Sequence, residues 1–147
     1  MNITQIFKTL ITVLLVITFV MLVVSAYQQY RSSSEMALLS DSTSSITTHL
    51  ALDELAYVDA AGTFHPYVID AAKLQSFESF EQTVGGEEFE FQVFVLENMS
   101  GDEREIEPQH NPALPDGKMN CTLIFAVTLF ENGRYIPAKI QVMAWHV

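Results

Sequence analysis

Leu10-Ile-Thr-Val-Leu-Leu-Val-Ile-Thr-Phe-Val-Met-Leu-Val-Val-Ser-Ala26 carries no charged side chain, and the uncharged run extends from Thr9 to Tyr30. As an α-helix rising about 1.5 Å per residue it covers roughly 33 Å, enough for a hydrocarbon core of about 30 Å. Its Thr hydroxyls can bond back to helix carbonyls, so they cost little in lipid. The amino terminus and Lys8 precede the run and Arg31 follows it. The positive-inside bias therefore puts residues 1–8 in the cytoplasm, a transmembrane helix at 9–30, and the remainder outside the cell membrane. Tyr27 and Tyr30 fall where an interfacial aromatic belt would lie. A cleaved secretory signal is the competing reading, since Val24-Ser25-Ala26 has small-residue spacing, and cleavage near Ala26 would release a soluble domain. The run exceeds the ~7–15 residues of a signal core, which favours a retained single-pass anchor.

Beyond the anchor the chain changes character. All 18 acidic residues follow Tyr30, set against Arg31, Lys73, Arg104, Lys118, Arg134 and Lys139, and the whole chain has a formal charge of −11 at pH 7. So acidic a surface argues against nucleic acid or anionic headgroups as partners. Cys121 is the only cysteine, which excludes an internal disulfide; its setting in an apolar run reads as a buried, inert thiol. About 115 residues suffice for one core and one domain.

From Arg31 to Tyr57 there is neither Pro nor Gly, and Met36, Leu39, Ile46, Leu50 and Tyr57 recur at threes and fours, with Thr43 and Asp53 filling the gaps. This spacing predicts an amphipathic helix over 31–57 with a polar stripe, packed on a sheet. Either it continues the membrane helix or the chain breaks near Ser32–Ser34; the Ser/Thr-rich composition leaves both open. The remainder, 58–147, forms one extracytoplasmic domain with it. Leu55–Asp59 and Thr63–Ile69 read as a hairpin turned at Gly62, with Pro66 marking an edge or irregular strand. Asp70 can N-cap a short helix. Gly85-Gly86 precedes Glu88–Leu96, where Phe89, Phe91, Val93 and Val95 alternate with Glu88, Glu90 and Gln92. Asn98 to Lys118, rich in Pro, Gly and acid, reads as a long surface loop. Asn132-Gly133 between Asn120–Phe130 and Tyr135–Trp145 is a strong hairpin signal, and Trp145 should close the core. The expected fold is α+β, a long N-terminal transmembrane helix continuing into an amphipathic helix on a small antiparallel sheet of four to five strands.

No chemistry-bearing pattern emerges. His49, His65, His110 and His146 are scattered and make no zinc pattern with Cys121. Asp102-Glu-Arg-Glu-Ile-Glu107 lacks the alternating ligands and glycine of a calcium loop, so a solvated charged loop is the expectation. There is no Gly-x-Ser-x-Gly elbow and no phosphate loop. We therefore expect no catalytic, cofactor-binding or metal-binding residue, no small-molecule substrate, and no enzyme activity. Asn98-Met-Ser100 and Asn120-Cys-Thr122 match the glycosylation sequon, the first at a loop edge, the second opening a strand.

A short N-terminus, a hydrophobic helix, its continuation to about Tyr57 and a small sheet together resemble the type IV pilin and pseudopilin layout. The closing Asn-Gly-Arg-Tyr-Ile-Pro-Ala-Lys-Ile-Gln-Val-Met-Ala-Trp145 is similar to the last hairpin of small anchored proteins of archaeal pili. The resemblance implies a cell-surface structural or assembly protein whose hydrophobic helix contacts other subunits of a filament or envelope complex, or further copies of itself. Thr9 follows Lys8 where pilins carry Gly or Ala, and no acid precedes Glu35. The likeness is thus to a minor or accessory, permanently anchored member. A single-pass anchored β-sandwich, binding or stator-like, is the alternative.

Overall fold

The computed structural model describes residues 2–99 and 102–147. Helix α1 spans Ile3–His49 without a break. Ser32–Ser34 do not interrupt it, which resolves the choice that propensity left open. No second, amphipathic helix occupies 31–57. The helix instead closes in a π turn at Leu50–Glu54, where Leu55 N donates to Leu50 O at 2.9 Å, and Tyr57 already belongs to a strand. Two compact units divide the chain, residues 1–37 and residues 38–147.

In the second unit the buried stripe of α1 starts at Leu39 and continues through Ser42, Thr43, Ile46 and Thr47 to Leu50 and Ala51. Met36 and Asp53, the outlying members of the expected stripe, are exposed. Thr43 and Thr47 survive burial because their hydroxyls bond back to Leu39 O and Thr43 O, each at 2.6 Å. Short side chains there leave room for Leu39, Ile46 and Leu50 to reach a core shared with Leu55, Leu74, Phe89, Phe91, Val93, Leu129, Ile140 and Val142. Full burial of each large apolar side chain is worth roughly 1.5–3 kcal/mol.

The sheet has seven strands rather than four or five: β1 Ala56–Val58, β2 Phe64–Asp70, β3 Glu81–Val84, β4 Glu87–Met99, β5 Asp102–Ile106, β6 Asn120–Glu131 and β7 Arg134–His146. Its order is β1-β2-β6-β7-β4-β3, with β5 also on β4. It is mixed rather than antiparallel, because β2 runs parallel to β6, pairing Val68, Ile69 and Asp70 with Thr128, Leu129 and Phe130. The connection between them runs through the short helix α2, Ala71–Gln75, and then β3, β4 and β5; Asp70 caps α2 by accepting from Ala72 N at 2.9 Å. Asp102–Ile106, expected in a loop, is a strand hydrogen-bonded to the end of β4.

The expected hairpins form. β1 pairs with β2, although the register shifts between Ala56 and Tyr57 and Tyr67, just after Pro66, has φ 61°. Pro66 therefore marks irregularity, in the part of β2 that has only β1 beside it, since pairing with β6 starts at Val68. β6 pairs with β7 along its whole length, and Asn132 and Gly133 turn the chain with φ of 52° and 76°, both left-handed as a type I′ turn requires. Trp145 is fully buried, on the face of β7 opposite Ala144, and its Nε1 donates to Glu90 Oε2 at 2.9 Å.

Candidate functional site

Among the described residues, Ile3–Val24 of α1 present a continuous apolar surface. Leu14 and Leu15 are 64% and 63% exposed, and none of the most apolar window is buried against protein. The helix is long and apolar enough to cross a membrane. Three of its hydroxyls bond back as expected: Thr9, Thr12 and Thr18 donate to Gln5 O, Lys8 O and Leu14 O at 2.8–2.9 Å. Every backbone and hydroxyl donor so paired removes a cost of several kcal/mol in hydrocarbon. At the polar end of this surface Arg31 Nε donates to Glu35 Oε1 at 2.8 Å.

The domain offers no comparable concentration of chemistry. Each histidine goes to a different neighbourhood. His65 Nε2 lies 3.0 Å from Asp59 Oδ2, His146 Nε2 lies 2.9 Å from Glu87 Oε2, His49 Nε2 lies 3.8 Å from Asp53 Oδ2, and His110 lines a cavity. Among the described residues no three His, Cys, Asp or Glu side chains are grouped to hold a metal. Cys121 is half-buried at the start of β6, less enclosed than its apolar setting suggests. Asn120 is half-buried beside it. The Asn98 sequon depends on Ser100, which lies outside the described residues.

Neither a known protein family, nor a curated protein, nor a solved structure matches the chain. Its function has to be argued from its own geometry.

One cluster was not foreseen from the sequence. Glu97 is 1% exposed, on the core-facing side of β4, and neither carboxylate oxygen has a hydrogen-bond partner among the described residues. Arg104 Nη1 of β5 approaches to 3.3 Å, close enough for ion pairing but without hydrogen-bond geometry. The Arg104 fork is engaged by Glu131, with Nη1 and Nη2 donating to its two oxygens at 3.0 and 2.7 Å. These bonds hold the Glu131 carboxyl below its usual range and raise Arg104. Counting every second residue from Phe89 places Glu97 on the apolar face, so its burial was readable from β4; its partner was not, because β5 carries no apolar alternation.

The acidic cavity of 460 Å³ beside β3 is lined by Glu78, Glu81, Glu90, His110 and Pro112. Glu90 is already committed to Trp145, and the segment carrying His110 is tied to β4, with Gln92 Nε2 donating to Pro112 O. The arrangement is that of a braced surface loop.

Proposed function

We propose that this chain is a membrane-anchored extracytoplasmic structural or assembly protein, pilin-like, acting as an accessory subunit of a surface filament or envelope complex. It is not an enzyme. The observation that carries the reading is the apolar helix surface from Ile3 to Val24, wholly exposed on a helix whose Thr9, Thr12 and Thr18 hydroxyls are bonded back to its own carbonyls. In water, exposing so many large apolar side chains is untenable; in a bilayer it is the ground state. Lys8 before the span, with Tyr27 and Tyr30 after it, favours a cytoplasmic N-terminus and an external domain. An unbroken helix entering a single sheet supports the pilin-like layout over two stacked sheets on a flexible linker.

The test is site-specific photocrosslinking from Leu15 in native membranes, read by mass spectrometry together with the intact mass of the chain. Adducts to hydrophobic helices of filament or envelope subunits, on a chain that keeps its anchor, are expected. Adducts to lipid alone would overturn the assembly role. A chain starting near Tyr27 would mean a secreted domain and overturn the anchor as well.

A further inference from the structure

We propose that the vacant lane beside the first two-thirds of β6 takes an extended segment of another protein, added as an extra strand. That segment has small apolar residues at alternate positions and Lys or Arg at its flanks.

β7 pairs with β6 from Asn120 to Glu131, but β2 reaches the other edge of β6 only at Thr128, Leu129 and Phe130. Along residues 120–127, alternate N–H and C=O groups therefore point into the lane where β2 would continue. Among the described residues nothing donates to or accepts from them.

This vacancy contrasts with how the fold treats the corresponding gap on β4. There β3 ends its pairing at Glu90 and β5 begins at Val95. In between, Phe91 N donates to Phe80 O at 3.1 Å, and the Asn111 side chain pairs with both backbone groups of Val93, at 3.3 and 3.1 Å. One gap is sealed by side chain and backbone; the other is held open. What holds it open is Tyr67, where β2 leaves the lane. Its φ of 61° is costly for a bulky side chain, and its ring stands edge-on to Phe125 with centroids 6.2 Å apart.

The exposed edge carries none of the usual protections. From Cys121 to Phe130 there is no charge and no proline, and Ile124 is 56% exposed. Beside it lies a cavity of 180 Å³ lined by Ser44, Thr47, Thr48, Tyr67, Leu123 and Phe125. An added strand would point alternate side chains there, and so small a volume selects small apolar ones.

Charge selects the occupant. Every acidic residue except Glu35 lies in residues 38–147. Two copies of so acidic a domain repel each other, whereas a segment with basic flanks is attracted and steered. This inference stands on the sheet edge alone and is independent of the anchor.

The test uses the full chain in lipid nanodiscs and a dye-labelled probe peptide, Lys-Thr-Val-Thr-Val-Thr-Val-Lys, at physiological ionic strength. We expect saturable binding, with backbone amide exchange slowed at least tenfold within 120–127 and unchanged on β4. The Glu-flanked counterpart, a peptide N-methylated at alternate residues, and the cavity-filling variant Thr48→Trp should each bind at least tenfold more weakly. Ser45→Trp, away from the cavity, should bind as the parent does. Equal binding of the N-methylated peptide, which needs no protein variant, would overturn strand addition. Equal binding of the Glu-flanked peptide would overturn the basic partner. Self-association that protects 120–127 without peptide would assign the lane to a second copy, and no binding at all would refute the proposal outright.

Discussion

Two stretches of the same helix invert the usual relation between polarity and burial. Residues 3–24 are almost wholly apolar and wholly exposed, whereas the buried face of residues 39–51 includes Ser42, Thr43 and Thr47. Each stretch is consistent only with its own solvent. The polar stripe is stable because Thr hydroxyls bond back to the helix and because Leu39, Ile46 and Leu50 supply the apolar area. The apolar stretch is long and apolar enough to cross a membrane, and lipid is a solvent in which such a surface is stable. The difference teaches that hydropathy alone would place the helix–sheet contact at the wrong end of α1.

The largest expected effect breaks the comparison at the first stretch. Val16→Arg with Val20→Arg adds roughly 5–7 kcal/mol to insertion, by about 2.5–3.5 kcal/mol per charge at a helix centre. Fractionation should find the chain outside the membrane, while the melting of the sheet domain, a separate compact unit starting at residue 38, stays where it was. The reciprocal variant is Ile46→Ala, at a position with 0% exposure. It should cost roughly 2–5 kcal/mol of domain stability and leave membrane partition intact. If either variant moves both readouts, the two stretches do not serve separate solvents.

Smaller effects sharpen the second stretch and the sheet it packs on. Glu97 is a buried carboxylate whose ion-pair partner is half exposed. Glu97→Leu should hold stability or raise it by about 2 kcal/mol, since removing a whole buried charge avoids its desolvation. Arg104→Leu should lower the melting temperature, since it strands that charge. Ser42 Oγ is buried without a partner among the described residues, so Ser42→Ala should gain about 1 kcal/mol instead of losing it. Differential calorimetry separates these directions.

The smallest effect is a pH dependence. Asp59 accepts from Thr63 N and Ala61 N at 2.9 Å and faces His65, and the Thr63 bond leads in holding its carboxyl below the usual range. Glu131 is lowered likewise by Arg104. A depressed carboxylate stabilises the fold above its unfolded pKa. That contribution is complete above about pH 5 and fades as pH falls through the ordinary carboxylate range towards the lowered values. Chemical denaturation should show a shallow fall in stability on acidification below pH 5, reduced in Asp59→Asn.

How far the fold could be read from the chain depended on how local each signal was. Asn132-Gly133 and the alternating runs around it specify a hairpin within a few residues, and Asp70 caps α2 from one position away. The apolar run of residues 9–30 is likewise a local property. Glu81–Val84 and Asp102–Ile106 escaped notice because they are short strands with polar side chains, held by pairing to β4 and not by a pattern of their own. The parallel pairing of β2 with β6 joins residues about 60 apart in sequence, which no local periodicity reports. Continuity through Ser32–Ser34 was undecidable from propensity, since three serines lower helix preference without forbidding it. The apolar surface of α1 was legible for the same reason the hairpin was. The open edge of β6 was not, because vacancy is a property of what fails to pair with a strand.

The most direct measurement is protease protection of the full chain in sealed, right-side-out membrane vesicles, with the surviving fragment identified by mass. A single-pass anchor with an external domain requires that protease remove the sheet domain and leave a membrane-held fragment containing Thr9–Tyr30, which alkaline extraction does not release. Complete digestion, or release of the intact chain by alkaline extraction, would contradict the anchor. Full protection until detergent is added would place the domain on the other side.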